Sequence, residues 1–310
     1  LVPRAFLRCM GIVRRFRPDV VVGAGGYVSA PVVAAARTLG VPTILLEQNS
    51  VPGVTNRYLS RFVQAVVIAF DEAQRYFSHA RVEYCGNPVR RELVRRLQKT
   101  GRNRKNFADG SPLCLLILGG SQGARALNDV MVKAAPVLAK KAITLIHQTG
   151  SRDYAWVKDA YRRWGLQAEL QPFFQDMADV YAKSDLVVCR AGATTIAELT
   201  LAGLPAILVP FPYAADDHQR RNAVAIEDVG GARCVVQRDL TALRLMREIE
   251  ALLEHPEKRA TMKKAMQSIG RPDAAARVVD LCERLAKKGA GLCLSNRNAA
   301  CISSASAASV

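Results

Sequence analysis

Leu113-Cys114-Leu115-Leu116-Ile117-Leu118-Gly119-Gly120-Ser121-Gln122-Gly123-Ala124-Arg125 is the stretch whose reading decides the fold. Six apolar residues without polar alternation read as a strand covered on both faces, as in a parallel sheet. Three glycines follow within five positions, and then a helical run over Ala124–Leu138. Glycine lets the backbone turn sharply and approach a ligand closely. Free N–H groups at the helix start then favour a phosphate, and Ser121 adds a hydroxyl donor. Two other readings stand beside this one. The glycines serve a plain packing turn, or Gly119–Gly123 is the Gly-x-Ser-x-Gly nucleophile elbow of an α/β-hydrolase in its strand–turn–helix setting. A hydrolase would need a later acid and a later His, and only His147, His218 and His255 follow, the last reading as an exposed helix end.

The same strand–helix rhythm extends in both directions. Before the loop, Asp19–Gly23, Thr43–Leu46, Ala65–Ile68 and Val82–Cys85 read as strands, with helices over Val28–Leu39 and near Asn56–Phe62. After it, the strands are Thr144–Gln148, Ala168–Gln171, Leu186–Cys189, Ala206–Val209 and Cys234–Val236. Helices are expected over Tyr154–Gly165, Thr194–Ala202, Gln219–Val229 and Leu243–Leu253. The economical reading is an α/β chain of two doubly wound, Rossmann-like domains facing a cleft at the carboxyl ends of their strands. The first domain would span 1–97, a polar and basic linker 98–112, and the second domain 113–270. A helix over 271–288 follows the breaker Gly270-Arg271-Pro272, and 289–310 is too rich in Ser, Ala, Asn and Gly to bury a core.

Lys and Arg outnumber Asp and Glu by 44 to 27 in these 310 residues, a net charge of +17. That excess favours an anionic partner. Aromatics are only 6% and do not interleave with basic residues, so nucleic acid is the weakest such partner. Eight cysteines are scattered without a Cys-x-x-Cys pair, which reads as free thiols in a reducing compartment. Cys114 and Cys189 lie in apolar runs, where Cys acts as a small hydrophobe. No apolar run approaches the roughly 20 residues that span a bilayer. The start Leu1-Val2-Pro3-Arg4, without Met or the marks of a signal peptide, reads as the middle of a longer sequence.

Two more loops follow strands. Arg190, Gly192 and Thr194–Glu198 repeat the strand, glycine and helix start, and a nucleotide diphosphate has a use for two such termini where a serine hydrolase has none. Glu198 is placed to accept the ribose hydroxyls, as acidic residues do in dinucleotide sites. The alternative is a first-turn Glu favoured by the helix dipole. Asp216-Asp217-His218-Gln219 opens a further helix, with Asp216 as N-cap or as part of a cluster gripping sugar hydroxyls; three adjacent residues rarely converge on a metal. Gly23–Tyr27 is another glycine-rich turn, but Val28 stands where a dinucleotide fingerprint needs glycine. It binds an anion or serves close packing.

These loops, with Gly23–Pro31, Glu47-Gln48-Asn49 and Gly86-Asn87-Pro88-Val89-Arg90 in order, resemble the MurG family over about Ala5 to Leu285. Those bacterial enzymes move N-acetylglucosamine from UDP-N-acetylglucosamine to the lipid-linked muramyl-pentapeptide, lipid I to lipid II, in peptidoglycan synthesis. The resemblance implies a metal-independent, cofactor-free inverting transferase of the GT-B fold, peripheral on the cytoplasmic face of the inner membrane. It implies donor contacts from Asn49, Arg90 and Ser121, and from the Phe174 backbone to uracil. Ala193, Thr194, Thr195, Ile196, Ala197 and Glu198 would hold phosphate and ribose, and Gln219 the sugar. Gly25, Gly26 and Tyr27 would meet the acceptor diphosphate. Phe174 departs from the pattern, which expects an aliphatic residue there. The family's base, a His in its first glycine-rich loop, is expected upstream of Leu1, so the catalytic residue stays unknown. Other readings are a different UDP-sugar enzyme of this fold, such as an epimerase, or a fragment that binds UDP without transfer.

An anionic membrane surface as partner has a reading of its own. Over Pro3–Arg17, Arg4, Arg8 and Arg15 fall on one helical face and Phe6, Cys9, Met10, Val13 and Phe16 on the other. Such a helix lies on a lipid surface, or is an ordinary crossover helix with a solvated basic face.

Overall fold

A computed structural model describes residues 2–101, 112–120 and 123–287, and they form two compact units. One unit holds the chain up to Gly86 and takes it up again at Asp273; the other is Asn87–Pro272.

In the first unit, helix α1 (Val2–Phe16) leads to β1 (Val21–Gly23), α2 (Ser29–Thr38), β2 (Thr43–Glu47), α3 (Val54–Leu59), β3 (Ala65–Ile68) and β4 (Val82–Tyr84). The four strands are parallel in the order β1-β2-β3-β4. β3 is buried along its whole length, which explains its unbroken Ala-Val-Val-Ile run. Its Val66 and Ile68 pack with Val33 and Leu45, while Ala65 and Val67 join Ile44 on the opposite face. At Gly23 the turn after β1 needs its glycine for space, since a Cβ there would lie 2.8 Å from the Val33 side chain.

The second unit begins with α4 (Arg91–Gly101) and continues β5 (Leu113–Leu118), α5 (Arg125–Leu138), β6 (Ile143–Gln148), α6 (Tyr154–Arg163), β7 (Ala168–Gln171), α7 (Met177–Lys183), β8 (Leu186–Cys189), α8 (Ala193–Ala202), β9 (Ala206–Leu208), α9 (His218–Asp228), β10 (Ala232–Cys234), α10 (Ala242–Leu253) and α11 (Pro256–Ile269). Its six parallel strands are ordered β10-β9-β8-β5-β6-β7. Leu115, Ile117, Leu145, Val188 and Ile207 face one core with Leu127, Met131 and Ile249. The alternate residues Leu116, Ile146, Val187 and Leu208 are equally buried, so both faces are covered. Burial pushes the Cys189 thiol up to about 12, as a small hydrophobe in a strand requires.

The topology fixes where a ligand goes. From β5 the chain builds outward through β6 and β7, then returns to the other side of β5 for β8, β9 and β10. The loops after β5 and β8 therefore diverge from neighbouring strands. In open α/β sheets that switch point is where ligands bind.

Several expectations change. Residues 91–101 are helix, so the basic run after Arg90 is not wholly linker, and Asn87–Leu97 belongs with the second unit. Leu93, Val94 and Leu97 turn inward while Arg91 and Arg95 stay exposed, and that stripe packs against α7 and α8. Helices α7 and α11 went unread, the latter having Pro256 in its first turn and few apolar residues. The last helix, α12 (residues 274–287), puts Val278, Leu281 and Leu285 into the core under Ile44 and Val67, so it belongs to the first unit. The remaining linker residues 102–111 and the tail from 288 onward, including the expected unstructured 289–310, lie outside the described residues. Among the described residues no helix is long and apolar enough to cross a membrane.

Helix α1 is amphipathic, but its apolar face is mostly spent inside the protein. Val13 is buried, and Phe6, Cys9 and Met10 are half-buried where α1 packs on α2. Phe16 does not join them: it is 80% exposed, as are Leu7 and Ile12 at 67% and 60%. At 100° per residue, Leu7 and Ile12 flank the stripe of Arg4, Arg8 and Arg15.

Candidate donor-binding site

Gly119, Gly120 and Gly123 are required for different reasons. A Cβ on Gly119 would stand 2.6 Å from the Ala124 nitrogen, and one on Gly123 would stand 2.5 Å from the Thr149 carbonyl oxygen. Gly120 has open space around it but a φ of 80°, in the left-handed region. The loop therefore hugs the turn after β6, and α5 begins at Arg125 with no side chain capping it. Its first N–H groups lack the usual side-chain acceptor. Ser121 and Gln122 lie outside the described residues.

A buried network fixes the start of α5. Asn128 Nδ2 donates to the Thr149 carbonyl at 3.0 Å and to Asp153 Oδ2 at 2.7 Å. Its Oδ1 must then accept from His147 Nε2 at 3.0 Å, which leaves His147 Nδ1 to accept the Tyr161 hydroxyl at 2.8 Å. Arg125 donates to Asp153 Oδ1 at 3.0 Å and stacks over Trp156. Burial drives the His147 pKa down to about 3, so the ring is neutral. Both His147 nitrogens are committed, His218 Nδ1 bonds the Ala215 carbonyl, and His255 pairs with Glu257. His147 therefore has no nitrogen left to serve as the base of a serine hydrolase.

After β8, Arg190 donates to the carbonyls of Val209 and Pro210 and to Gln237 Oε1, and it lies over Phe211. Gly192 is the N-cap of α8 and offers no side chain, so this helix start is open as well. Ala193 and Ile196 point into the core, while Thr194 is exposed and Thr195 half-buried. Glu198 stands beyond the first turn of α8, so helix-dipole placement does not explain it. Its Oε2 accepts the Tyr181 hydroxyl at 2.7 Å. Burial raises its pKa, and the Tyr181 bond and the Arg90 charge only partly oppose that.

These groups share one cavity of about 840 Å³ in the second unit. Gly120, Gln148, Phe174, Arg190, Thr194, Thr195 and Glu198 line it, with Arg90, Leu93 and Arg96 from the start of α4 as its other wall. Arg96 pairs with Asp176 at 2.8 Å, and Asp176 caps α7 by accepting the Asp179 N–H. Phe174 is 4% exposed, and its N–H is already given to Gln148 Oε1 at 3.0 Å. Its carbonyl is thus the backbone group left for a base. The aromatic ring here is buried.

Of the expected donor residues, Arg90, Phe174, Thr194, Thr195 and Glu198 meet in this cavity. Ala193, Ile196 and Ala197 supply the helix start around it. Gln219 does not line it; its Oε1 accepts the Phe211 N–H at 3.0 Å. Asn49 belongs to the first unit, where its N–H and side-chain amide donate to Glu47 Oε1. Also there, Gly25 and Gly26 take positive φ, and Tyr27 is 84% exposed beside an α2 start without a side-chain cap. Asp216 is not the α9 N-cap: Asp217 holds that position without a side-chain cap bond, and both have φ near 50°. No three His, Cys, Asp or Glu side chains converge on a metal position among the described residues. Gln148 and Tyr181 were missed; their signals were a polar residue at the carboxyl end of an apolar strand and a Tyr inside a short helix.

The N-terminal domain model of glycosyltransferase family 28 matches residues 2–68, and its C-terminal domain model matches residues 114–278. A protein of Anaeromyxobacter dehalogenans is 48% identical over 290 residues, 93% of this chain and 74% of that one. The chain belongs to glycosyltransferase family 28. That relative is named UDP-N-acetylglucosamine–N-acetylmuramyl-(pentapeptide) pyrophosphoryl-undecaprenol N-acetylglucosamine transferase, as is a Myxococcus xanthus protein 44% identical over 91% of this chain and 72% of its own. The crystal structure of Acinetobacter baumannii MurG superposes with a TM-score of 0.77 at 32% identity, covering 91% of this chain and 78% of that one. With two parallel-sheet domains, this member has the GT-B architecture, and most of the switch-point cavity is lined by its family 28 C-terminal domain, the remainder by residues 88–96.

Proposed function

We propose that the chain transfers N-acetylglucosamine from UDP-N-acetylglucosamine to the 4-hydroxyl of a lipid-linked N-acetylmuramyl-pentapeptide, with UDP leaving. The observation that carries the reading is the switch-point cavity. There the uncapped start of α8 and Gly120 of the glycine loop that leads to α5 meet a carboxylate, Glu198, and the Phe174 segment. The geometry suits each part of UDP. Helix-terminal N–H groups stabilise the diphosphate charge that grows as the sugar bond breaks. Glu198 accepts the ribose hydroxyls, held in orientation by Tyr181. The Phe174 carbonyl accepts the uracil N3–H, and Arg90 adds positive charge across the cavity. Catalysis by this unit is positioning and leaving-group stabilisation, with inversion as the acceptor oxygen attacks opposite the departing UDP.

The acceptor reading rests on Gly25, Gly26 and Tyr27 at the open start of α2, a turn suited to a diphosphate. The membrane reading rests on α1, where Leu7, Ile12 and Phe16 flank Arg4, Arg8 and Arg15. Each cation near an anionic lipid surface contributes about 1 kcal/mol. Labelled donor and lipid acceptor, with product analysis, test the transfer: a new β-linked disaccharide on the lipid is expected, and epimerised donor alone would overturn it. Co-sedimentation with vesicles tests the surface. Arg4→Glu with Arg8→Glu should release the protein from anionic vesicles, and undiminished binding would move the contact elsewhere.

A further inference from the structure

The two loops that would grip UDP are joined by one side chain. Gln148, 4% exposed at the carboxyl end of β6, donates from Nε2 to the Gly120 carbonyl at 3.1 Å and accepts the Phe174 N–H on Oε1 at 3.0 Å. Its main chain adds a third tie, the Gly119 N–H donating to the Gln148 carbonyl at 3.2 Å. The amide orientation is forced, because a carbonyl needs a donor and an N–H needs an acceptor. One end thus fixes the glycine loop before α5, and the other fixes the segment that presents Phe174. We propose that Gln148 is a positioning residue that sets the spacing between the diphosphate and base subsites, so that both ends of one UDP engage together. This rests on the donor reading given above.

Several features make the bridge specific. Gly120 has positive φ and no neighbour where a Cβ would sit, and its carbonyl also accepts the Gly123 N–H at 3.1 Å, so Gln148 anchors to β6 a turn that is closed on itself. The residue after Gln148 is also fixed: the Thr149 N–H donates to the Gln171 carbonyl, and its own carbonyl, held by Asn128, lies against Gly123. β6 is therefore a rigid mount, and Gln148 is the arm reaching from it to both subsites. Asn is one methylene shorter and cannot span them, while Met has the length but no N–H to donate.

Binding of UDP and of uridine to the full chain and to Gln148→Met and Gln148→Asn separates the possibilities. Uridine uses only the base and ribose positions, so it feels the loosened Phe174 segment but not the spacing to the diphosphate subsite. Losing the two side-chain ties is worth about tenfold or more in UDP affinity. Both variants are expected to bind UDP about tenfold more weakly and to lose clearly less for uridine, and to melt below native because the buried Phe174 N–H loses its acceptor. Equal losses for UDP and uridine, or none for UDP, would overturn the bridge. An Asn variant that binds like native would overturn it too, since polarity and not span would then matter. A native chain that binds uridine but gains nothing from the diphosphate would sink the bridge and leave the nucleoside subsite standing. A native chain that binds neither would sink the donor reading itself.

Discussion

Glu198 and His147 show how single residues carry the chemistry and how much of it the sequence discloses. Glu198 was legible as an acidic residue after a glycine-rich turn, but its partner Tyr181 was not, because the two are 17 positions apart and meet only through packing of α7 on α8. Glu198→Ala is expected to weaken UDP binding by about 1–3 kcal/mol through lost ribose hydrogen bonds; unchanged affinity by calorimetry would remove it from the site. Its raised pKa gives a sign test. The carboxylate form accepts ribose, so UDP affinity should rise with pH through the raised value. The folded-state pKa lies above the unfolded one, so the stability contribution is present at low pH and is lost over that same rise. His147 has the reverse sign, with its pKa down at about 3 from an ordinary 6.5. Its contribution is present above pH 6.5 and lost as pH falls toward 3, at about 1.4 kcal/mol per unit. Urea denaturation at neutral and mildly acidic pH should show that slope in the native chain and a shallower one in His147→Gln. Equal slopes would place the proton uptake elsewhere.

At the scale of elements, long apolar strands were readable and short charged helices were not. β3, β5 and β8 fall where the sequence places them, because burial on both faces demands unbroken apolar runs. α4 reads from the sequence as partly linker because its Arg and Lys density hides a stripe of only three apolar residues, Leu93, Val94 and Leu97. Tertiary packing against α7 and α8, rather than intrinsic pattern, makes it a helix. The wall that α4 supplies beyond Arg90, with Arg96 tied to the α7 cap at Asp176, is hidden in the sequence for the same reason. Leu97, 6% exposed, is the anchor. Leu97→Ala should cost about 2–4 kcal/mol in denaturation. UDP affinity should fall as well, because Arg90 and Arg96 lose their footing. A variant that is destabilised but binds UDP normally would show that the α4 wall is not part of the donor site.

At the scale of the whole molecule, the chain order misleads about where the units end. The breaker Gly270-Arg271-Pro272 marks a real boundary, yet α12 beyond it completes the first unit, burying Leu281 completely beside Ile44, Ala65 and Val67. Sequence distance hides this contact, since more than 200 positions separate Glu83 from its ion-pair partner Arg284 on α12. Each unit has its own core, so each should melt on its own terms. Leu281→Asp inserts an unpaired carboxylate into the first core, a cost of several kcal/mol. In a unit of about 100 residues that displaces a transition by ten degrees or more. Scanning calorimetry of the full chain should therefore show one transition falling sharply in the variant, while the other keeps its native position. The unmoved transition should be the one that UDP raises, because a ligand stabilises only the unit that binds it. If UDP raised the transition that Leu281→Asp lowers, the donor site would lie in the unit that α12 completes, and the switch-point cavity would lose its assignment.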